Sequence, residues 1–289
     1  MWALIGTINN LHLSSQITLP LRFSDWIIYS ANKFPYKTQI ISYLRNNCKP
    51  IVFTHIIVRK TKKLEPANGR FVNESFGKFN AFISLLRVIK PNNSFIQNEL
   101  FLSNGHINML RPHESNETPF FISKKNDQTT TKRDIVLVRK CFQSLNRLRN
   151  QRRINKIVNS LGYLEQGCKG DTLAERIIWL FTALEAIFNL NESELTFKLS
   201  SRISWYLYPK SVIKRRNVFI GIKTAYNYRS EIVHGELLKN EEIKKNLTLL
   251  ENVVWAVMRK ILLDNKTIKI LTDKEPISRE YFDRLILGR

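Results

Sequence analysis

From Ile135 to Val257, apolar residues recur at three- and four-residue steps in five successive stretches, and this period constrains the fold more than any other feature of the chain. Ile135, Val138, Phe142, Leu145 and Leu148 make one face, and Leu173, Ile177, Leu180, Leu184 and Ile187 make a second behind a Gly170-Asp171 cap. Leu195, Leu199, Ile203 and Tyr206 lead to Pro209; Val218, Ile222, Tyr226 and Val233 lead to Gly235; Ile243, Leu247, Leu250, Val254 and Val257 form a last long stretch. Apolar stripes at this spacing bury one side of an α-helix. Several such helices with short joints predict an antiparallel bundle.

The first 130 residues have a different texture. Ile51-Val-Phe-Thr-His-Ile-Ile-Val58 is rich in β-branched residues between Pro50 and a basic cluster, which predicts a strand. Phe79, Phe82, Leu86 and Ile89 stand at helical steps before Pro91. The expected class is therefore α+β overall, with a mixed α/β region over 1–130 and an all-α bundle over 131–289. Between Arg111 and Thr131, the prolines 112 and 119, Asn116, Asn126 and a threonine run favour turns and exposed loop, which places the boundary there.

A chain of 289 residues with 43% hydrophobic content can bury a sizeable core. Its formal charge of +22 attracts polyanions, because neutralised phosphates release condensed counterions; RNA or DNA is the matching partner class. A lysine-rich solvated surface gives the same sum, and charge names no reaction. Basic runs stand at Arg59 to Lys63, at Arg147 to Lys156 and at Lys210 to Arg216. Arg147, Arg149, Arg152 and Arg153 alternate with Leu148 and Ile154, a pattern that fits either an RNA-facing stripe or a solvated helix face. Lys214, Arg215 and Arg216 carry the same two readings.

Cys48, Cys141 and Cys168 are far apart and odd in number, which argues against a disulfide framework or a zinc site and for a reducing cytoplasm. No metal or cofactor motif is visible. The apolar start, Met1 to Ile8, lacks the basic leader and cleavage pattern of a secretory signal, and no run reaches the length of a membrane span, so the expectation is a cytoplasmic protein without a membrane partner.

The chemistry concentrates in Arg229-Ser-Glu-Ile-Val-His-Gly235. A guanidinium can clamp two phosphate oxygens, and a histidine can exchange protons near neutrality. His234 falls in the last predicted helical turn, ahead of a glycine suited to a helix stop. None of His12, His55, His106 and His113 has an arginine five to seven residues ahead of it. Glu185 lies in the apolar stretch Trp179 to Phe188, where an unpaired carboxylate is costly; Arg229 or Arg202 would relieve it. Tyr226, at helical spacing, reads as core. Ser230 can bond a phosphate or pack.

These residues carry a resemblance. Arg229-Ser-x-Ile-Val-His-Gly235, preceded by the helix with Ala183-Leu-Glu-Ala-Ile-Phe188, is similar to the active-site region of the HEPN superfamily, in its Apea-like branch. The resemblance covers roughly residues 135 to 265 and is most specific from Asp171 to Gly235. It implies a metal-independent endoribonuclease that binds the phosphate through Arg229 and transfers protons through His234, with Ser230 and Glu185 in supporting places. It also implies a homodimer with a composite active site and a role in antiviral defence or as a toxin. On an ideal helix, five residues turn the two side chains about 140° apart, a separation that facing copies in such a dimer resolve. A non-catalytic RNA- or nucleotide-binding module, or a dimerisation module, is the other reading of the same residues.

Overall fold

A computed structural model describes residues 2–9, 11–23, 25–47, 53–61, 69–90, 95–103, 106–112, 129–149, 156–188, 195–235, 240–272 and 275–287. The fold is α+β: among the described residues there are ten α-helices and one six-stranded antiparallel sheet. The chain divides into two compact units, with the described residues up to Phe142 in the first and those from Gln143 onward in the second.

The first unit is built on its opening strand. Strand β1 (Trp2–Asn9) sits between β4 (His55–Thr61) and β5 (Phe95–Ser103), and the sheet is completed by β2 (Leu21–Phe23), β3 (Trp26–Ser30) and β6 (His106–Pro112) in the order β2-β3-β4-β1-β5-β6. Every residue from Ala3 to Ile8 is buried, as an apolar run covered on both faces requires. Ala3 and Ile5 share a core with Ile56, Val58, Leu100 and Leu102 and with Ile40 and Leu44 of helix α1 (Lys37–Asn46). Side chains alternate along a strand, so the cross-strand row Trp26, Arg59, Leu4 and Phe101 points to the opposite face.

That opposite face packs on helix α2 (Gly69–Ile89), whose Phe79 and Phe82 meet the Trp26 ring edge-on at 6.4 and 5.1 Å. Asp25 bridges Arg59 of the sheet and Lys78 of the helix at 2.8 and 3.1 Å. The start of helix α3 (Lys132–Arg149) belongs here too: Phe142 meets Trp26 at 5.6 Å and Arg139 lies over Phe23 at 5.1 Å. Among the described residues, the two units meet inside α3, at Phe142 and Gln143. Aromatic packing, which composition does not register, carries the first turns of α3 to the sheet. Of the stretch from Arg111 to Thr131, Arg111 and Pro112 end β6, residues 113–128 lie outside the described residues, and Thr130 is buried in a bridge to Leu13. The expected strand over 51–58 begins at His55; Ile51 and Val52 lie outside the described residues.

The second unit is a helical assembly of the end of α3 with α4 (Lys156–Lys169), α5 (Leu173–Phe188), α6 (Leu195–Leu207), α7 (Val212–Val233), α8 (Asn240–Leu263), α9 (Asn265–Thr272) and α10 (Glu275–Leu287). All five periodic stretches are helices. Helix α5 packs on α4, α7 and α8, and its buried face includes Ile177, Leu180, Phe181, Leu184 and Ile187. Its start is a reciprocal cap one residue beyond the expected one: the Glu175 amide donates to Thr172 Oγ1 at 3.1 Å while the Asp171 amide donates back to Glu175 Oε2 at 3.0 Å. Helix α7 begins at Ser211, whose hydroxyl accepts from the Lys214 amide. Farther along α7, Gly221 permits close approach to α8, since a Cβ there would lie 2.5 Å from Leu249 Cδ1.

Two buried cations tie the helices together. Arg176 of α5 donates to Glu251 of α8 at 2.5 Å, both side chains being almost fully buried. Arg202 of α6, at 2% exposure, donates to the Phe188 carbonyl at the end of α5 and to Asp283 of α10 at 3.0 and 2.8 Å. Among the described residues, no helix is long and apolar enough to cross a membrane.

Candidate functional site

The end of α7 places the motif residues. Tyr226, Arg229 and Val233 are three and four residues apart, so they share one side of the helix in succession. Tyr226 packs edge-on against Phe181 of α5 at 5.1 Å, which brings α7 alongside Glu185, one helical turn farther along α5. The Tyr226 hydroxyl donates to Glu185 Oε1 at 3.2 Å. Arg229 Nη2 lies 3.7 Å from the same oxygen, and its guanidinium carbon is 5.4 Å from the Tyr226 ring centroid. One carboxylate oxygen thus accepts from the tyrosine and pairs with the cation, which leans on the ring that anchors the carboxylate.

The electrostatics follow from half-burial. Burial raises the Glu185 carboxyl above its ordinary range, and the Arg229 charge and the Tyr226 hydroxyl pull it back without cancelling the rise. Burial together with the neighbouring Glu185 charge pushes the Tyr226 phenol up to about 12, so it remains a donor at neutral pH. Arg229 stays about a quarter exposed, and 3.7 Å is an ion pair rather than a hydrogen bond. Its Nε atom is buried without a hydrogen-bond partner. A guanidinium loosely held by one carboxylate retains donors for a second anion.

His234 caps the helix. Its amide donates to the Ser230 carbonyl at 3.0 Å, and the Gly235 amide donates to the Ile232 carbonyl at 3.1 Å. Gly235 has φ of 82°, the left-handed conformation that ends a helix at little steric cost when no Cβ is present. The His234 side chain is exposed. Ser230 is half-buried between Arg229 and Glu231.

Of the expected site residues, Arg229 and Glu185 are brought together directly. His234 and Ser230 lie on the same last turns of α7. Arg202, the other cation considered for Glu185, is instead committed to Phe188 and Asp283. Tyr226 is core by burial and also a polar member of the site, a double role that apolar spacing does not reveal; its place three residues before Arg229 was the available signal.

Of the basic candidates, Lys214, Arg215 and Arg216 lie in the first turns of α7. Arg215 is turned onto the end of α6, stacked on Trp205 at 3.7 Å and donating to the carbonyls of Tyr208 and Pro209, which makes it a helix-terminating contact. Lys214 and Arg216 are exposed. Arg152 and Arg153 lie outside the described residues, as do the side chains of Arg147 and Arg149 on α3. Among the described residues, no three His, Cys, Asp or Glu side chains group as metal ligands would. Comparison with protein-family models, curated proteins and solved structures found no match to the chain.

Proposed function

We propose that the chain is a metal-independent endoribonuclease of the HEPN type that works as a homodimer. The observation carrying this reading is the state of Arg229: a side chain about a quarter exposed, oriented by Glu185 and Tyr226 yet hydrogen-bonded to neither, little more than one turn from an exposed histidine at a helix end. Metal-free cleavage needs a cation to bind the scissile phosphate and a group to move protons between the ribose 2′-hydroxyl and the 5′-oxygen. Arg229 and His234 are of those two types. The wheel separation of the pair is answered by a facing copy that supplies the complementary residue across a cleft. The positive charge of the chain would draw RNA toward such a cleft. The resemblance adds antiviral defence or toxicity as the setting and the cytoplasm as the place.

The test is incubation of wild type and His234→Ala with total RNA in EDTA, followed by mapping of the ends. Wild type is expected to leave 2′,3′-cyclic phosphate and 5′-hydroxyl ends, and His234→Ala to lose cleavage by about 10²- to 10⁴-fold, the usual worth of a positioned acid or base. Equal cleavage by both proteins removes His234 from the reaction. Salt-sensitive RNA binding that survives His234→Ala, with no product ends from either protein, would favour the non-catalytic binding module, a reading supported by the pairing of Arg229 within its own subunit.

A further inference from the structure

The opposite end of α7 carries a surface that the motif does not use. Val212 and Ile213 are 67% and 76% exposed, Ile220 is 49% exposed, and Phe197 of α6 is 56% exposed with its ring edge-on to Phe219 at 5.6 Å. Large apolar side chains scattered singly need no explanation; a group of them across two neighbouring helices does. On a wheel of about 100° per residue, Arg216 and Lys223 fall between Val212 and Phe219 on one side and Ile213 and Ile220 on the other. Both cations are exposed, and neither has an ion-pair partner among the described residues. The patch is therefore an apolar strip with two positive charges inside it.

From this we infer that the first half of α7, with Phe197, docks an acidic amphipathic helix of another protein. Three alternatives are disfavoured by the same arrangement. A second copy of this chain would bring Arg216 and Lys223 against their own kind. A lipid surface deep enough to take in Val212, Ile213 and Ile220 would also take in the cations lying between them. RNA would satisfy the charges and leave the aliphatic side chains uncovered. A helix with apolar residues at i, i+3 or i+4 and i+7, and with Asp or Glu among them, covers the strip and pairs both cations. Ile213 and His234 are 21 residues apart on one helix, about 30 Å at 1.5 Å per residue, so the docking strip stands apart from the motif and does not depend on the nuclease reading.

The experiment is selection from a display library of random peptides of about 16 residues, long enough for four helical turns, on the full-length chain. Depletion uses the Ile213→Asn/Ile220→Asn variant, whose changes are at exposed positions and whose fold is checked by circular dichroism. The expected enriched sequences combine that apolar spacing with Asp or Glu. A synthesised member is expected to bind wild type and to lose about tenfold or more against both the double variant and Arg216→Glu. The inference is overturned by a pool without such a pattern, or by peptides that bind the double variant equally well. It is also overturned if vesicles of phosphatidylcholine and phosphatidylserine bind wild type but not the double variant. The same holds if sedimentation shows that the double variant turns a dimer into monomers.

Discussion

Three arginines of the helical unit each face an acidic side chain, and they differ in burial and in how closely they are held. Arg176 of α5 is buried against a buried Glu251 at 2.5 Å. Arg202 of α6 is equally buried, but its carboxylate partner Asp283 is 47% exposed and a helix-end carbonyl completes its bonding. Arg229 of α7 is partly exposed, and its nearest carboxylate oxygen is 3.7 Å away. The first two donate hydrogen bonds to protein acceptors. The third is open: Glu185 and Tyr226 hold the side chain in place without using up its hydrogen bonds. A cation that exists to join helices has no reason to remain open, and one that must accept a phosphate cannot be closed.

Alanine substitution at the three positions is the strongest way to break that ranking. Arg176→Ala removes the cation 2.5 Å from the buried Glu251 and is expected to cost about 3–5 kcal/mol. Arg202→Ala frees an acid that already reaches water, so its cost is mainly the orphaned Phe188 carbonyl, about 1–3 kcal/mol. Arg229→Ala is expected to cost about 1 kcal/mol or less, as for a partly exposed pair, while removing RNA cleavage. Denaturation followed by helical circular dichroism, with cleavage measured beside it, reads all three. A large loss of stability in Arg229→Ala would place that residue with the structural pair.

The ranking was only partly legible in the chain. Helical period found the helices with long one-sided stripes, because burying one side of a helix leaves its mark at every turn. It passed over α4, although Ile157, Leu161, Leu164 and Cys168 stand at helical steps there. It also passed over β1, since a strand buried on both faces has no alternation to read. Arg229 and His234 stood out because residue type and local spacing carry their chemistry. Of the ion pairs, the one between Glu185 and Arg229 was among those expected, and the other two were not: Arg202 meets Asp283 across 81 residues and Arg176 meets Glu251 across 75, distances over which no local pattern selects one acid from another. The Tyr226 hydroxyl was hidden for a different reason, because the same ring satisfies the apolar period and supplies the polar contact.

Tyr226→Phe sharpens the comparison on a smaller scale. It keeps the ring against Phe181 and beneath Arg229 and deletes only the hydrogen bond to Glu185. The expected cost is about 1 kcal/mol, the net worth of one hydrogen bond. If Tyr226 positions the site, cleavage falls by more than this small loss of stability explains, and the fall appears in kcat rather than in KM. An unchanged rate would leave Tyr226 as packing alone.

Glu185→Gln is the finest test, because it asks what the carboxylate itself contributes. Burial raises the Glu185 carboxyl even with Arg229 beside it, so the folded chain holds this proton more tightly than the unfolded chain does. The stability from this group is then fully present below the unfolded value of about 4.3 and is lost as pH rises through the folded value. Glutamine keeps the shape and does not titrate. The melting temperature of Glu185→Gln relative to wild type is therefore expected to rise between about pH 4 and pH 7, a modest trend readable in a series of buffered melts. Were the relative melting temperature to fall over the same range, the ion pair would outweigh burial, and Arg229 would be held more firmly by Glu185 than its 3.7 Å separation implies.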